Sequence, residues 1–456
     1  MEINTKRNSY YIPKDINIIL PNELKKLESI AEKNYGINKK EANGIIKNLK
    51  CEISNFGIIK NVADLKHLIL EITQSCNFRC LYCIYGGLYE SERLHNPVRM
   101  KFEIAKKAVD NLYEQCCSRY RTTKDKIVIG FYGGEPLIEF ELVKKIIKYV
   151  NQLNFNKFGE FRFLLTTNGF LLNPEIVDFL VKENVKLDIS LDGPEKEHNK
   201  FRLTANGSGS WRKVIQNAIY IYKNYPQYYS VNVGYNTVIH PDHDLEIIEK
   251  YFYKYEELFN EDNVNPYNFK LDDINEKNYE ILLKKYINQI RVRDKKLDKS
   301  GWFYQKLVYG VRSKFFNTLS RNKMSNFTGT CFPGGERLFV DPNGKYHICE
   351  KINENFPIGD VDQGFDIKAI KKIITDWRGN IIKNKCWECE VYYICTECYV
   401  QSQKNGILQF TENCEEEQKN RVINTFKNYL NHLEEEDAKE NQINSCNTID
   451  SFMELL

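Results

Sequence analysis

Three cysteines, Cys76, Cys80 and Cys83, fall inside the run Ser75-Cys76-Asn77-Phe78-Arg79-Cys80-Leu81-Tyr82-Cys83. The apolar run Leu68-Ile69-Leu70-Glu71-Ile72 ahead of them reads as a buried strand. The three thiols therefore share one short loop at the end of a strand, and that loop leads into Gly86-Gly87. Thiolates spaced this closely are the usual ligands of iron–sulfur clusters or of zinc. Three ligands on a four-iron cube leave one iron open, where a small molecule can bind and receive an electron. The i, i+4, i+7 spacing also fits one face of a core helix. Asn77 and Arg79 interrupt that face, and a strand precedes it.

Seven more of the 14 cysteines lie between 331 and 414: Cys331, Cys349, the pairs Cys386–Cys389 and Cys395–Cys398, and Cys414. Paired C-x-x-C is a zinc-ribbon pattern as well as an iron–sulfur one. Seven thiolates cannot fill two four-ligand zinc sites without sharing, whereas two cubane clusters accept them if one iron stays open. Cys51, Cys116, Cys117 and Cys446 are left over; Cys116 continues the stripe Ala105, Ala108, Val109, Leu112, Tyr113 and reads as a core thiol. The N-terminus lacks the apolar core of a secretory signal, and no stretch approaches the ~20 apolar residues that cross a bilayer. The expectation is a cytoplasmic protein, whose cysteines serve metal or redox chemistry more than disulfides. A net charge of +3, from 65 basic and 62 acidic residues, gives no case for a nucleic-acid or membrane partner.

The elements that must position these thiols follow from periodicity. The 456 residues, 42% hydrophobic, suffice for two or three domains. From 63 to 275, strand candidates Leu68–Ile72, Ile127–Tyr132, Phe161–Thr166, Val185–Ser190 and Val231–Val238 alternate with helices such as Phe102–Cys116 and Leu142–Asn151. Such alternation predicts an α/β fold with a parallel sheet, open or curled toward a barrel, with chemistry at the C-terminal strand ends. The notable residues cluster at those ends: the cysteine loop, Gly133-Gly134-Glu135-Pro136, Thr167-Asn168-Gly169 and Ser190-Leu191-Asp192-Gly193-Pro194. Glycine lets backbone approach a ligand, Glu135 can accept from an ammonium group, and Ser190 with Arg202 can hold a carboxylate. Asn236 would turn a polar side chain out of an otherwise buried strand. Residues 1–62 read as a small module with two short helices, of winged helix-turn-helix type, suited to capturing an extended peptide, capping the core or, as a weaker reading, binding DNA. Residues 276–328 read as a helical bridge, 329–416 as the second cysteine domain and 417–456 as a helix with an acidic tail.

Taken together, Cys76-x3-Cys80-x2-Cys83 with Tyr82 before the last cysteine, then GGEP, TTNG and SLDGP followed by His198 and Arg202, resemble the radical S-adenosylmethionine (SAM) family. The cluster from Cys331 to Cys414 resembles its SPASM domain. Cys331-Phe332-Pro333-Gly334, Arg337-Leu338-Phe339-Val340 and Cys349-Glu350-Lys351 look most like maturases that put thioether crosslinks into Cys-rich ribosomal peptides. The resemblance implies a partial (β/α)6 TIM barrel, a leader-binding module at 1–62, SAM and three [4Fe–4S] clusters. It implies Cys76, Cys80 and Cys83 on the first cluster, Cys331, Cys349 and Cys398 on one auxiliary cluster, and Cys386, Cys389, Cys395 and Cys414 on the other. Tyr82, Gly133, Gly134, Glu135, Pro136, Asn168, Ser190, Asp192, Arg202 and Asn236 become candidate SAM contacts, and Glu350 a candidate proton acceptor. The implied reaction is one-electron cleavage of the SAM sulfonium, then hydrogen abstraction from a precursor peptide bearing a leader and a Cys-containing core. A flavodoxin- or ferredoxin-type donor would supply the electron. No cysteine lies between Cys331 and Cys349, where sulfatase-maturating relatives have one more, so an open auxiliary iron is expected. Formylglycine formation, epimerisation, a carbon–carbon crosslink or, from another class, a zinc-structured DNA-binding regulator are the competing readings.

Overall fold

The computed structural model describes residues 2–4, 9–11, 65–86, 93–118, 126–268, 301–304, 306–307, 331–389, 395, 397–404, 406–411, 413–416 and 418. Apart from a two-stranded pairing of β1 (Glu2–Asn4) with β2 (Ser9–Tyr11), the expected winged helix at 1–62 lies outside these residues. Most of the bridge at 276–328 and the helix and tail at 417–456 lie outside them too.

The body is one sheet built in sequence order. It contains β3 (His67–Thr73), β4 (Lys126–Gly133), β5 (Glu160–Thr167), β6 (Lys186–Ser190), β7 (Val233–Ile239) and β8 (Val264–Asn268), each parallel to its neighbour. Six parallel strands in consecutive order make the sheet of a partial (β/α) barrel. Connections between them include α1 (Phe102–Cys117), α2 (Phe140–Val150), α3 (Pro174–Lys182), α4 (Trp211–Asn224), α5 (Pro226–Asn232) and α6 (Leu245–Lys254). Asn173 caps α3 by accepting from Ile176 N–H at 3.0 Å, with Pro174 at the first helical position. Asp244 does the same for α6.

One face of the sheet is apolar: Leu68, Leu70 and Ile72, Ile127, Ile129 and Phe131, and Leu187 and Ile189 are all buried. They share one core with Ala105, Val109, Leu112 and Cys116 of α1 and Val143, Ile146 and Ile147 of α2. Each such aliphatic, fully withdrawn from water, contributes about 1.5–3 kcal/mol. Cys116 is wholly buried in that layer. The opposite, inner face carries His67, Glu71, Tyr132, Thr166, Asp188, Ser190 and Asn236 at alternate positions, a polar row that has no place in a packed core.

Two elements depart from expectation. The strand read from Val231 begins instead at Val233; Val231 belongs to α5, where it is exposed. Pro226 opens that short helix, and its preset φ outweighs the strand preference of Val231. Beyond the gap, β9 (Arg337–Val340) does not stay within the second cysteine domain. It pairs in parallel with β3, setting Arg337 opposite His67 and Phe339 opposite Ile69, while β10 (Tyr346–His347) closes a hairpin on it. α7 (Ile367–Lys383), capped by Asp366, packs Ile373, Ile374 and Trp377 into the same core. Among the described residues no helix is long and apolar enough to cross a membrane.

The ends of β3 and β4 meet backbone to backbone. Gly134 N–H donates to Thr73 O at 2.8 Å and Glu135 N–H to Ser75 O at 2.9 Å. Gly133 has φ +135°, and a Cβ on Gly133 or Gly134 would be driven into the Thr73 or Ser75 carbonyl. Gly134→Ala should therefore lower stability by about 1–3 kcal/mol through overpacking. Gly379→Ala, at an exposed helical position where nothing lies within 4 Å, should raise it by about 0.5–1 kcal/mol. Urea unfolding of both variants checks this; equal effects of the same sign would contradict it.

Candidate active site

The cysteine loop leaves β3 at Thr73 and is fastened on both sides. Arg79 and Leu81 N–H donate to Leu203 and Phe201 carbonyls, and Ala205 N–H to Asn77 O at 2.8 Å. Cys76, Cys80 and Cys83 are free thiols. Phe78 N–H points at Cys76 Sγ (3.3 Å) and Tyr85 N–H at Cys83 Sγ (3.4 Å). Burial pushes the Cys76 and Cys80 thiols up to about 12 and Cys83 upward as well. Without a metal they are thiols, and loading one displaces their protons. Three free thiols on one loop, with two amides already aimed at sulfur, fit a cluster held by three thiolates. Among the described residues no three His, Cys, Asp or Glu side chains converge on a single-ion site. A cubane asks for no such convergence, because each thiolate takes a different iron.

Glu135 is wholly buried, and its carboxylate faces inward to three donors: Leu137 N–H (3.1 Å), Thr167 OH (2.7 Å) and Asn168 N–H (2.7 Å). Burial pushes it up to about 7 against those donors. The side chain expected to meet an ammonium group thus ties the β4 loop to the β5 loop, and the Gly133–Glu135 backbone carries what faces the cysteines. Pro136, buried, starts the short turn behind it. Asn168 then reaches the cysteine loop itself, donating to Asn77 Oδ1 at 2.8 Å with its amide 3.9 Å from Cys76 Sγ.

The β6 loop supplies a buried charge pair. Arg202 Nε donates to Asp192 Oδ2 at 2.9 Å, and Tyr82 OH donates to the same oxygen. The guanidinium stands 5.2 Å from the Tyr82 ring centroid and also donates toward Cys80. Asp192 Oδ1 accepts from Val238 N–H at 2.9 Å. Burial alone would lift Asp192, but the Arg202 guanidinium above all, with the hydrogen bond from Tyr82, holds it below the usual carboxylate range. Burial pushes His198 down to about 3, so its ring is neutral. Nδ1 accepts from Asp192 N–H, which leaves Nε2–H to donate to Ser210, whose hydroxyl donates to Arg202 O at 2.6 Å. Arg202 is therefore fixed at both its head and its backbone. Ser190 and Asn236 stand opposite one another in the β6–β7 register, both half-buried on the inner face.

Across that face lies the second group. Glu350 follows Cys349 and pairs with Arg337 of β9 at 3.0 Å. Burial pushes Cys349 up to about 12, aided by neighbouring Glu350 and Cys398. Cys386 is raised to about 12 by burial and by Cys414 and Cys389; Cys395 likewise by burial, Glu397, Cys389 and Cys386. Cys331 is exposed; it and Cys398 both act on buried Tyr399. Three residues here escaped the motif reading: Glu71, Tyr85 and Arg93. Glu71 alone carried a signal, a carboxylate inside an apolar strand.

An unpaired buried cation is costly. Asp192→Asn should therefore cost about 3–5 kcal/mol, whereas Asp192→Asn with Arg202→Met, which removes both charges, should recover most of it. Urea midpoints report this, and a double variant no more stable than the single one would refute the pairing.

The radical SAM superfamily model matches residues 70–252. A cysteine-type anaerobic sulfatase-maturating enzyme of Clostridium novyi (strain NT) is 25% identical over 73% of this chain and 87% of its own length. The radical SAM cyclopropyl synthase TigE of Paramaledivibacter caminithermalis is 23% identical over 74% and 68%. The solved structure of native anSMEcpe with bound AdoMet and Cp18Cys peptide covers 83% of this chain and 99% of its own at TM-score 0.57 and 18% identity, so the fold is shared. With its three-cysteine loop at the end of the first barrel strand, this chain is an enzyme that carries a radical SAM domain over residues 70–252, and its relatives include sulfatase-maturating enzymes.

Proposed function

We propose that the chain is a peptide maturase that abstracts a hydrogen atom from a residue of a ribosomally made, Cys-containing precursor and installs a thioether crosslink. The observation that carries this reading is the β3–β9 pairing, which brings the Cys349–Glu350 segment and the three-cysteine loop to one inner face of one sheet. A peptide lying there can offer a carbon to one centre and a thiol to the other. The names of two relatives, a sulfatase-maturating enzyme and a cyclopropyl synthase, and the Cys-peptide complex of a fold neighbour support a peptide substrate.

Cys76, Cys80 and Cys83 would hold the first cluster. Ser190, Asn236, Arg202 and the Gly133–Glu135 backbone would hold SAM. When bound, the pair supplies one-electron cleavage of the sulfonium and a radical able to take hydrogen from an unactivated C–H bond. The neighbourhood of Cys386, Cys389, Cys395 and Cys414, and of Cys349 with Cys398, supports two auxiliary clusters, the latter completed by Cys331. Glu350 would take the thiol proton, and Arg337 would hold the resulting charge balance.

Formylglycine formation on a cysteine is the second reading, favoured by the sulfatase-maturating relatives. Mass spectrometry separates them. Co-expression with a short Cys-rich peptide encoded beside the chain should yield a product that has lost two hydrogens and one free thiol. Glu350→Gln should lower its yield by about 10²–10⁴-fold, the range of a lost general base. A hydrazide-reactive aldehyde would instead establish the formylglycine reading, and undiminished product from Glu350→Gln would remove that residue from the reaction.

A further inference from the structure

Arg93 lies between the cysteine loop and α1 in sequence and belongs to none of the motifs above, yet among the described residues it is the largest fully buried side chain. Its Nη1 is 3.4 Å from Glu71 Oε2, with both side chains 0% exposed, and 3.5 Å from Glu354 Oε1. Its Nε donates to Ile352 O at 3.2 Å, and its guanidinium lies 4.8 Å from the Phe339 ring centroid. The second Glu71 oxygen accepts from Tyr85 OH, two residues beyond Cys83. Gln74, just ahead of Cys76, also donates to Glu354 Oε1 (3.3 Å) and is itself held by Asn96. The guanidinium therefore joins β3, β9 and the segment that follows Cys349, and reaches the loop of the first three cysteines at one remove, through Tyr85 on Glu71 and Gln74 on Glu354.

Withdrawing such a pair from water costs several kcal/mol per ion, and an apolar replacement of similar volume is often as stable. Stability alone gives this pair no reason to exist. Its geometry gives one: Nη1 reaches Glu71 and Glu354 while Nε holds the Ile352 carbonyl, two donor atoms in fixed directions where a lysine has one. Paired reactive centres tolerate about 0.5 Å of error before the site is too loose to work. We propose that Arg93 is a positioning residue that sets the separation and orientation of the three-cysteine loop and the Cys349–Glu350 segment. This rests on the reading above, in which both segments carry clusters.

The test uses the full-length chain purified anaerobically with its iron, as wild type, Arg93→Lys and Glu354→Gln. Hydrogen exchange is read in segments 76–86 and 349–354. Microwave power saturation is read on the reduced cluster signal that changes when SAM is added; its relaxation depends steeply on the distance to a second paramagnet. In Arg93→Lys exchange should rise about tenfold or more in both segments together, the effect of losing charged hydrogen bonds, and the SAM-responsive signal should relax differently. Exchange confined to one segment, or unchanged relaxation, overturns the proposal. If Arg93→Lys does not fold, Glu354→Gln decides alone: it should raise exchange at 349–354 and alter the relaxation, and wild-type behaviour in both overturns the proposal. Wild-type protein with no SAM-responsive signal would sink the radical reading instead, while the exchange measurements still judge Arg93.

Discussion

Everything at this site hangs from the contact between the ends of β3 and β4, where two glycines let backbone lie on backbone. Gly134 and Glu135 N–H groups close on Thr73 and Ser75 carbonyls, and no side chain fits between. That contact orients the first turn of the cysteine loop. It also drops Glu135 beneath the loop, where Thr167 and Asn168 engage it. Asn168 returns to Asn77. Three strand ends are thus tied together by hydrogen bonds beneath the start of the cysteine loop before any ligand is considered. The pattern GGEP is a structural requirement first; the room it leaves for a ligand's polar groups follows from the same lack of side chains.

Buried charge does the rest of the positioning, in two places with different chemistry. On the β6 side, Asp192 keeps Arg202 beside Cys80 and Tyr82, and the neutral His198 and Ser210 hold the backbone. On the β9 side, Arg93 and Glu71 bind the outer margin of the loop to the segment after Cys349. Both pairs sit where low polarity makes electrostatic interactions strong and an unpaired member costly. The three-cysteine loop therefore has a rigid floor of hydrogen bonds and two charged side walls. Such a frame can hold a cluster in one geometry while leaving the inner face, with Tyr132, Ser190 and Asn236, open to other groups.

Much of this was legible in the sequence because the signals were local. The barrel strands announced themselves as short apolar runs, and the motif residues fell at their C-terminal ends, where a parallel sheet offers loops that share one edge. Cys116 was readable as core from a helical stripe. The rest was hidden by tertiary context. Four residues, Arg337 to Val340, look the same whether they stay in a hairpin or join a distant strand, so β9 beside β3 could not be read. Glu135 reads in the sequence as an acceptor for an ammonium group, and nothing local shows that its carboxylate takes hydrogen bonds from Thr167, thirty-two residues on, and from Asn168. Arg93 resembles any surface arginine until Glu71, Ile352 and Glu354 are brought around it.

The central claim is that Cys76, Cys80 and Cys83 hold a cluster with one iron open to SAM. Anaerobically purified chain, reduced with dithionite and given SAM, measures it most directly, with the Cys76, Cys80 and Cys83→Ala variant as baseline. Wild-type protein should release methionine and 5′-deoxyadenosine and the variant neither, even where the variant retains auxiliary iron. Wild-type protein that contains iron yet leaves SAM intact, or a variant that cleaves it as fast, would rule out a SAM-binding cluster on these three cysteines.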